Sequence, residues 1–286
     1  MEPRKGLNEL FGMLKDDTRD ARVSSARSKV GRTADESSSL GEQCLNDGDY
    51  EGAIGHFRKA LEQAKGSAGA HLDLGGALEV TDRSAEATRE FRRALRAEPA
   101  SPEAHVGLSQ IYKRSARWRE TVDSLVAALR IQPDDPFTNF KLAEAFRETK
   151  QWSAALAAAR HAADKAPDDS FYHFWLGDLL VDMRRFDDAL VALKRAVDLS
   201  PGDDYLYLRS AVAFWGAGRC TEAIKAVRLA GDLDPDNALY AGMLEMFLRH
   251  SGQEDEAKLQ QARVPKMDSY DRDRLTRIAE FLGLGG

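Results

Sequence analysis

A unit of 34 residues repeats through most of this 286-residue chain and constrains its fold more than any other feature. Starting at Ala34, each step of 34 residues reaches an equivalent position, with no gap, as far as residue 237. The twentieth place of the unit holds a small residue in every copy: Ala53, Ala87, Thr121, Ala155, Ala189, Ala223 and Ala257. A period of this length is typical of arrays in which no unit buries its apolar face alone, so that neighbouring units must stack.

Turn and stop signals predict two helices in each unit. The segments Asp47-Gly48-Asp49 and Ala217-Gly218-Arg219 are typical of a tight turn in the middle of a unit. Proline ends the second helix because it lacks an amide hydrogen and disfavours helix in the residue before it. It recurs at the thirty-second place of five successive units, as Pro99, Pro133, Pro167, Pro201 and Pro235. Small residues at places eight and twenty are expected to let the two helices approach closely.

These positions resemble the tetratricopeptide repeat family, a 34-residue helix–turn–helix. Its Leu-Gly pair at places seven and eight stands as Leu74-Gly75 and Leu176-Gly177, and its Phe at place twenty-four as Phe57 and Phe91. Ala recurs at place twenty-seven from Ala60 to Ala230. The resemblance implies an all-α, right-handed α-solenoid of about seven tandem units with a C-terminal capping helix.

The register predicts the following division of the chain. A leader spans 1–33, and a capping helix spans 268–286. Between them lie the units 34–67, 68–101, 102–135, 136–169, 170–203, 204–237 and the degenerate 238–267.

The resemblance also implies a binding site, because in this family the first helix of each unit lines a concave groove. Places two, five, nine and twelve point into that groove, and places six and thirteen lie nearby. In units one to three these places are mostly polar, whereas in units four to seven they are rich in large apolar residues, which favours a partner-binding surface. The predicted groove residues are Phe137, Phe140, Glu144, Arg147, Phe171, Phe174, Asp178, Tyr205, Leu208, Trp215, Leu239 and Met246. The apolar side chains would supply affinity, and Glu144 and Asp178 would select nearby Lys or Arg.

The sequence alone leaves open what covers this apolar stripe of groove residues in units four to seven. The chain's own N-terminal or C-terminal helix, or a neighbouring copy, would also cover it, and the side chains would also be hidden if they belonged to the core. The groove lacks the Lys and Asn pattern of repeats that grip chaperone tails. It is more similar to repeats that cradle amphipathic segments, which suggests a chaperone-like adaptor.

The two ends of the chain carry amphipathic patterns. Leu7, Leu10, Phe11 and Leu14 fall on one helical face, which predicts either a docking helix or packing against the first unit. Residues 18–33 carry five Lys or Arg and one Asp, and we expect a flexible basic arm there. Near the other end, Leu275, Ile278, Ala279 and Leu282 form one face of the predicted cap.

The remaining composition excludes several function classes. A net charge of −6 argues against nucleic acid as the main partner, and no apolar run is long enough to span a membrane. No catalytic constellation, metal-ligand spacing or phosphate-binding loop is present, so no enzyme activity, metal or cofactor is expected. We expect a cytoplasmic, non-catalytic scaffold that binds a protein or peptide with an apolar or amphipathic segment. The alternatives are a scaffold that self-assembles through its N-terminal helix and a regulatory subunit of a partner enzyme.

Overall fold

The computed structural model describes residues 29–261, 264 and 267–284, and fifteen α-helices account for most of them. None of these described residues lies in a strand. The helices are α1 (Lys29–Asp47), α2 (Tyr50–Gln63), α3 (Ala68–Val80), α4 (Ser84–Ala97), α5 (Pro102–Arg114), α6 (Trp118–Ile131), α7 (Pro136–Glu148), α8 (Trp152–Lys165), α9 (Ser170–Asp182), α10 (Phe186–Leu199), α11 (Asp204–Gly216), α12 (Cys220–Leu233), α13 (Ala238–His250), α14 (Glu254–Gln261) and α15 (Ser269–Leu282). The prediction of an all-α fold built from tandem helix–turn–helix units is confirmed.

One backbone motif joins the two helices of every repeat. The fifteenth residue of the repeat is left-handed, with φ near +55° to +80°, at Asp82, Ala116, Lys150 and Arg184 and at Gly48, Gly218 and Gly252. The next amide donates back to the carbonyl five residues earlier, as from Arg83 to Leu78 at 2.9 Å. This closure satisfies carbonyl groups that the end of the first helix leaves unpaired. The predicted mid-repeat turn is therefore present in all seven repeats.

Small side chains bring the two helices of a repeat together, as predicted. A β-carbon built on Gly75 would lie 2.9 Å from the Phe91 ring, and one on Gly177 would lie 2.6 Å from Leu193 Cγ. Phe91 and Leu193 both occupy place twenty-four of their own repeats. The alanines at places twenty and twenty-seven are almost fully buried in each case, for example Ala155 at 0% exposure. The alanine-rich sequence thus supplies the closest helix–helix contacts.

The chain divides into two compact units, whose boundary falls between Pro133 and Asp134. The first unit holds repeats one to three, α1 to α6. Its core includes Ile54, Phe57, Leu78 and Phe91, and Tyr112 lies at its edge. The second unit holds repeats four to seven and α15. The division coincides with the change from polar to apolar residues at the predicted groove positions.

Ion pairs tie neighbouring helices together within the first unit. Arg114 on α5 pairs with the buried carboxylate of Glu79 on α3 at 2.7 Å, and with Asp82 at 2.9 Å. His71 on α3 contacts Glu90 on α4 at 2.7 Å between Nδ1 and Oε2. Glu79 and Glu90 are both buried, so each is stabilised by a basic or hydrogen-bonding neighbour.

The N-terminal boundary differs from the sequence-based expectation. Helix α1 begins at Lys29, so residues 29–33, which we expected to form the end of a flexible arm, are helical. Residues Ser37 and Gly41 of the same helix are buried, which shows that α1 is anchored by its later turns. The predicted docking residues Leu7, Leu10, Phe11 and Leu14 lie outside the described part of the chain.

Candidate protein-binding face

The first helices of repeats four to seven, α7, α9, α11 and α13, carry the predicted groove positions. We call the surface formed by places two, five, six, nine, twelve and thirteen of these four helices the A-helix face. All of it lies within the second compact unit. Asp135 caps α7 by accepting a hydrogen bond from the Thr138 amide at 2.8 Å. Asp169, Asp203 and Asn237 cap α9, α11 and α13 in the same way. The caps fix where each helix begins and hence which side chains share the face.

Phe140 lies at the centre of an aromatic cluster on this face. Its ring makes edge-on contacts with Phe171 at 4.9 Å and with Trp175 at 5.1 Å, measured between centroids. Phe137 and Tyr172 each lie 6.3 Å away. Phe140 itself is only 8% exposed, and burial also raises the pKa of the neighbouring Tyr172 to about 12. Phe140 is therefore a core residue that supports the face, contrary to the expectation that it would be open to a partner.

The other aromatic residues of the cluster remain partly exposed. Phe137, Phe171 and Phe174 are half-buried, and Tyr205 is 39% exposed. Phe174 contacts Tyr205 on the next A helix, with centroids 5.5 Å apart. Ring contacts therefore link α7 to α9 around Phe140, and α9 to α11 through Phe174 and Tyr205. These predicted residues are brought together by the structure.

A four-residue ion-pair network crosses the same face. Asp178 pairs with Arg147 at 3.0 Å on one side and with Arg209 on the other. Asp182, one turn further along α9, also pairs with Arg147 and lies 3.7 Å from Arg209. The network links α7, α9 and α11, and none of the four side chains is more than 29% exposed.

Burial dominates the protonation behaviour of part of this network. It raises the pKa of Asp182, because loss of water around the carboxylate outweighs the attraction of Arg147 and Arg209. For Arg147 burial acts to lower the pKa, but attraction to Asp178 and Asp182 is larger and the net shift is upward. The Arg147 guanidinium also lies 5.6 Å from the Trp175 ring, which joins the network to the aromatic cluster.

The network corrects one expectation about selectivity. Asp178 was expected to select Lys or Arg on a partner, but two arginines of this chain already hold it. Arg249, another polar residue of the predicted face, pairs with Glu245 of its own helix. Glu144 is half-buried on α7. Charge on this face is therefore largely balanced within the chain.

Three predicted groove residues in repeats six and seven are hidden. Leu208 and Leu239 are 1% and 0% exposed, and Met246 is 8% exposed. Trp215 is half-buried and stacks on Phe247, with centroids 4.2 Å apart. The expectation that these side chains form an open stripe is wrong for Leu208, Leu239 and Met246.

The C-terminal helix α15 covers part of this region. It packs against α11 and α13, the first helices of repeats six and seven. Leu275 lies against Gly242 on α13, and Arg274 lies 5.7 Å from the Tyr205 ring on α11. Gly242 and Tyr205 occupy places five and two, so α15 lies on the A-helix face itself. The sequence predicted a helix here, and its position over the groove residues is one of the alternatives that the sequence left open.

The end of α15 reaches the turn of repeat five. Arg184 donates to the Phe281 carbonyl at 2.7 Å, and its guanidinium lies 4.7 Å from the Phe281 ring. Phe281 also makes an edge-on contact with Phe186 at 6.2 Å. The helix therefore extends across three repeats, from α13 over α11 to the start of α10.

Comparison with known proteins shows which family these repeats belong to. A family model described as tetratricopeptide repeat matches residues 45–105 and 180–246. The chain is a tetratricopeptide repeat protein. Repeats of this family form protein-interaction modules, and this tetratricopeptide repeat chain is a scaffold of that general kind.

Solved structures with the same fold are distant in sequence. The tetratricopeptide repeat protein YrrB, described as having an unusual peptide-binding site, is 20% identical with a TM-score of 0.56. The match covers 69% of this chain and 97% of YrrB. PilF from Pseudomonas aeruginosa is 18% identical with a TM-score of 0.63, covering 73% of this chain and 95% of PilF. MamA from Desulfovibrio magneticus RS-1 is 20% identical with a TM-score of 0.54, over 63% and 99% of the two chains. No curated protein matches the sequence.

The described residues of this tetratricopeptide repeat protein contain neither a cluster of metal-ligating side chains nor a helix that could span a membrane. No group of three or more His, Cys, Asp or Glu side chains is placed to hold a metal ion. No helix among them is long and apolar enough to cross a membrane.

Sequence reasoning missed several residues of the A-helix face. Lys141 lies 5.1 Å from the Phe137 ring, and Trp175, Asp182 and Arg209 complete the aromatic and ionic contacts. All four occupy places six or thirteen, beside the predicted positions. Their nearness to the predicted groove positions in the 34-residue register was the available signal.

Proposed function

We propose that the second unit binds an amphipathic segment of another protein along the A-helix face of repeats four to six, and that the chain acts without catalysis. One observation carries this proposal. Phe137, Phe171, Phe174 and Tyr205 are partly exposed aromatic residues on the first helices of three successive repeats, α7, α9 and α11, and we call these four residues the aromatic run. Aromatic residues of this kind are common among the few that dominate binding energy at protein interfaces.

The packing beneath the run supports this proposal. Phe140 is buried and packs against Phe137 and Phe171, and the buried Trp175 packs against Phe140 in turn. These contacts order Phe137 and Phe171 before a partner binds, so binding costs less conformational entropy. Each ring is already half-buried, so covering the rest of it contributes less than the roughly 1.5–3 kcal/mol of full burial, and several rings must act together.

The ionic network has a supporting role in this proposal. Because Asp178 and Asp182 are paired with Arg147 and Arg209, they hold α7, α9 and α11 in register rather than attract a charged partner. Glu144 is half-buried and already interacts within the chain. Specificity then rests mainly on the spacing of apolar side chains in the partner.

A distant structural relative is consistent with this function. YrrB is described as a tetratricopeptide repeat protein with a peptide-binding site, and it shares the fold over most of its own length. We also propose a cytoplasmic location, which the two free cysteines, Cys44 and Cys220, favour.

Selection from a library of random 16-residue peptides against the full chain tests the proposal without a known partner. We expect enriched peptides to carry apolar residues at i, i+3, i+4 and i+7, the pattern of a helix with one apolar face. Bound peptide should protect the amides of α7, α9 and α11 from hydrogen exchange. Enrichment of peptides without such a pattern, or protection confined to the first unit, would contradict the proposal.

A further inference from the structure

We infer that α15 is an internal ligand of the A-helix face in repeats six and seven, and that the natural partner contains an amphipathic helix that displaces it. This inference rests on the proposed function, because it names the kind of segment that the same face accepts. Its starting point is that α15 is itself an amphipathic helix seated on groove positions, against Tyr205 and Gly242.

The attachment of α15 is looser than that of any other described helix. It has no buried residue, whereas each of the other fourteen has at least one. Its apolar face, with Leu275, Ile278, Ala279 and Leu282, is half-buried throughout. Elements with few buried apolar contacts open at low free-energy cost, so α15 is the helix most easily released from this unit.

A cavity remains beneath the helix. It has a volume of about 160 Å³, is partly open to solvent, and is lined by Leu208, Val212, Ile278, Tyr205 and three arginines. A larger apolar side chain can therefore extend into it from α15. Ile278 therefore underfills its site, and a helix with an aromatic side chain at the equivalent position would fit better.

Polar contacts hold α15 mainly at its margins. Arg184 donates to the Phe281 carbonyl near one end, and Arg274 stacks on the exposed Tyr205 and Tyr270 rings. These groups are accessible to water, where such contacts contribute little net stability. A partner helix with the same apolar spacing and a larger side chain over the cavity is thus expected to compete successfully.

The partner helix described by this geometry has three features. It carries apolar residues at i, i+3, i+4 and i+7, a side chain that fits beside Gly242, and a ring in place of Ile278. The surface of this chain that binds the partner then continues from repeats six and seven onto the exposed aromatic run in repeats four and five. Displacement of α15 would make the apparent affinity depend on how often α15 is docked.

Two full-length variants change the docking of α15 in opposite directions. Ile278→Ser weakens its apolar contact, and Ile278→Phe fills the cavity. Asp273→Ser, at an exposed position of the same helix, is the matched control. The probe is a fluorescent peptide of residues 268–284 carrying Ile278→Phe, and its anisotropy is measured up to millimolar chain concentrations.

We expect Ile278→Ser to bind the probe up to about tenfold more tightly than wild type. Tenfold is the largest gain if α15 is docked in about nine-tenths of wild-type molecules, because only the remaining tenth can then bind the probe. Ile278→Phe should bind it more weakly, and Asp273→Ser should match wild type. Equal binding by all four chains, or no binding by any, would overturn the inference.

Hydrogen exchange of the unliganded chain tests the inference independently of partner binding. Amides of α15 should exchange at least about tenfold faster than those of α11 and α13, because local release is easier than unfolding of a repeat. Equal protection of the three helices would refute the internal-ligand account. The proposed function would still stand in that case if library peptides bind the aromatic run, so the two failures are distinguishable.

Discussion

Leu275 of the C-terminal helix lies against Gly242 of α13, where a β-carbon would come within 3.0 Å of Leu275 Cδ2 and 2.5 Å of Met267 Cε. Gly242 occupies place five of repeat seven. The same place holds Phe140, Phe174 and Leu208 in repeats four to six. The missing side chain leaves the space in which α15 lies on the A-helix face. A single glycine therefore distinguishes the covered end of the face from its aromatic end.

The first prediction concerns this glycine. Gly242→Leu should displace α15, because the new side chain fills the volume that Leu275 and Met267 now occupy. We expect faster hydrogen exchange throughout α15 with little change in α7 to α10. Gly55→Leu is the control, since a β-carbon there meets nothing within 4 Å. Unchanged exchange in α15 of the Gly242→Leu chain would argue against the contact.

The second prediction tests the close approach of helices within a repeat. Gly177→Ala should destabilise the chain by about 1–3 kcal/mol, because the added carbon would lie 2.6 Å from Leu193 Cγ and 3.3 Å from its backbone nitrogen. Gly55→Ala should instead stabilise it by up to about 1 kcal/mol, the usual gain for alanine in an open helix position. Urea unfolding measures both. Changes of the same sign would contradict the packing account.

The third prediction concerns the alanine positions. Ala155→Arg forces a charged side chain into a site with 0% exposure and should cost several kcal/mol. Ala157→Arg, on the exposed side of the same helix, should change stability by less than about 0.5 kcal/mol. Thermal melting followed by circular dichroism distinguishes the two. A normal melt for Ala155→Arg would refute the 34-residue register.

The fourth prediction follows from the raised pKa of Asp182. Because the folded chain holds this proton more tightly than the unfolded chain, its contribution to stability is fully present below about pH 4, the ordinary range for Asp. That contribution is lost as the pH rises through the raised pKa. Relative to Asp182→Asn, wild type should therefore lose stability as the pH rises above about 4 in urea titrations. Asp187→Asn, at an exposed site on α10, is the control variant.

The sequence alone was enough to predict the repeat and the turns, because both depend on local rules that recur every 34 residues. Gly75 opposite Phe91, and the alanines at places twenty and twenty-seven, follow directly from that register. The partly exposed aromatics, Phe171 and Phe174, were also predicted from their places in the repeat. Each of these positions depends on contacts within one repeat or with its neighbour.

What the sequence did not predict depends on the orientation of side chains between repeats and on contacts between distant segments. The burial of Phe140 comes from Phe171 and Trp175 of the next repeat, which the register places near but does not orient. The position of α15 depends on Gly242, which has no side chain at place five and so leaves room for Leu275. The same pattern in α15 is compatible with capping the last repeat or with lying on the A-helix face, and only the packing distinguishes them.

Phe140 also changes how the proposed function should be tested. Truncating this buried ring is expected to cost about 3–5 kcal/mol of stability, so loss of binding in such a variant would not be informative. The half-buried Phe171 and Phe174 are better targets. Val191, which is 74% exposed on α10, offers a control for the loss of an apolar side chain from another helix of the same repeat.

The affinity of a library-selected amphipathic peptide for Phe171→Ser with Phe174→Ser, compared with wild type and Val191→Ser, tests the central claim most directly. Circular dichroism melts of each chain show that it is folded at the assay temperature. We predict at least about a tenfold loss of affinity for the double variant, equivalent to about 1.4 kcal/mol, and wild-type affinity for Val191→Ser. Equal affinity for the folded double variant and wild type would contradict the claim that the A-helix face binds the partner.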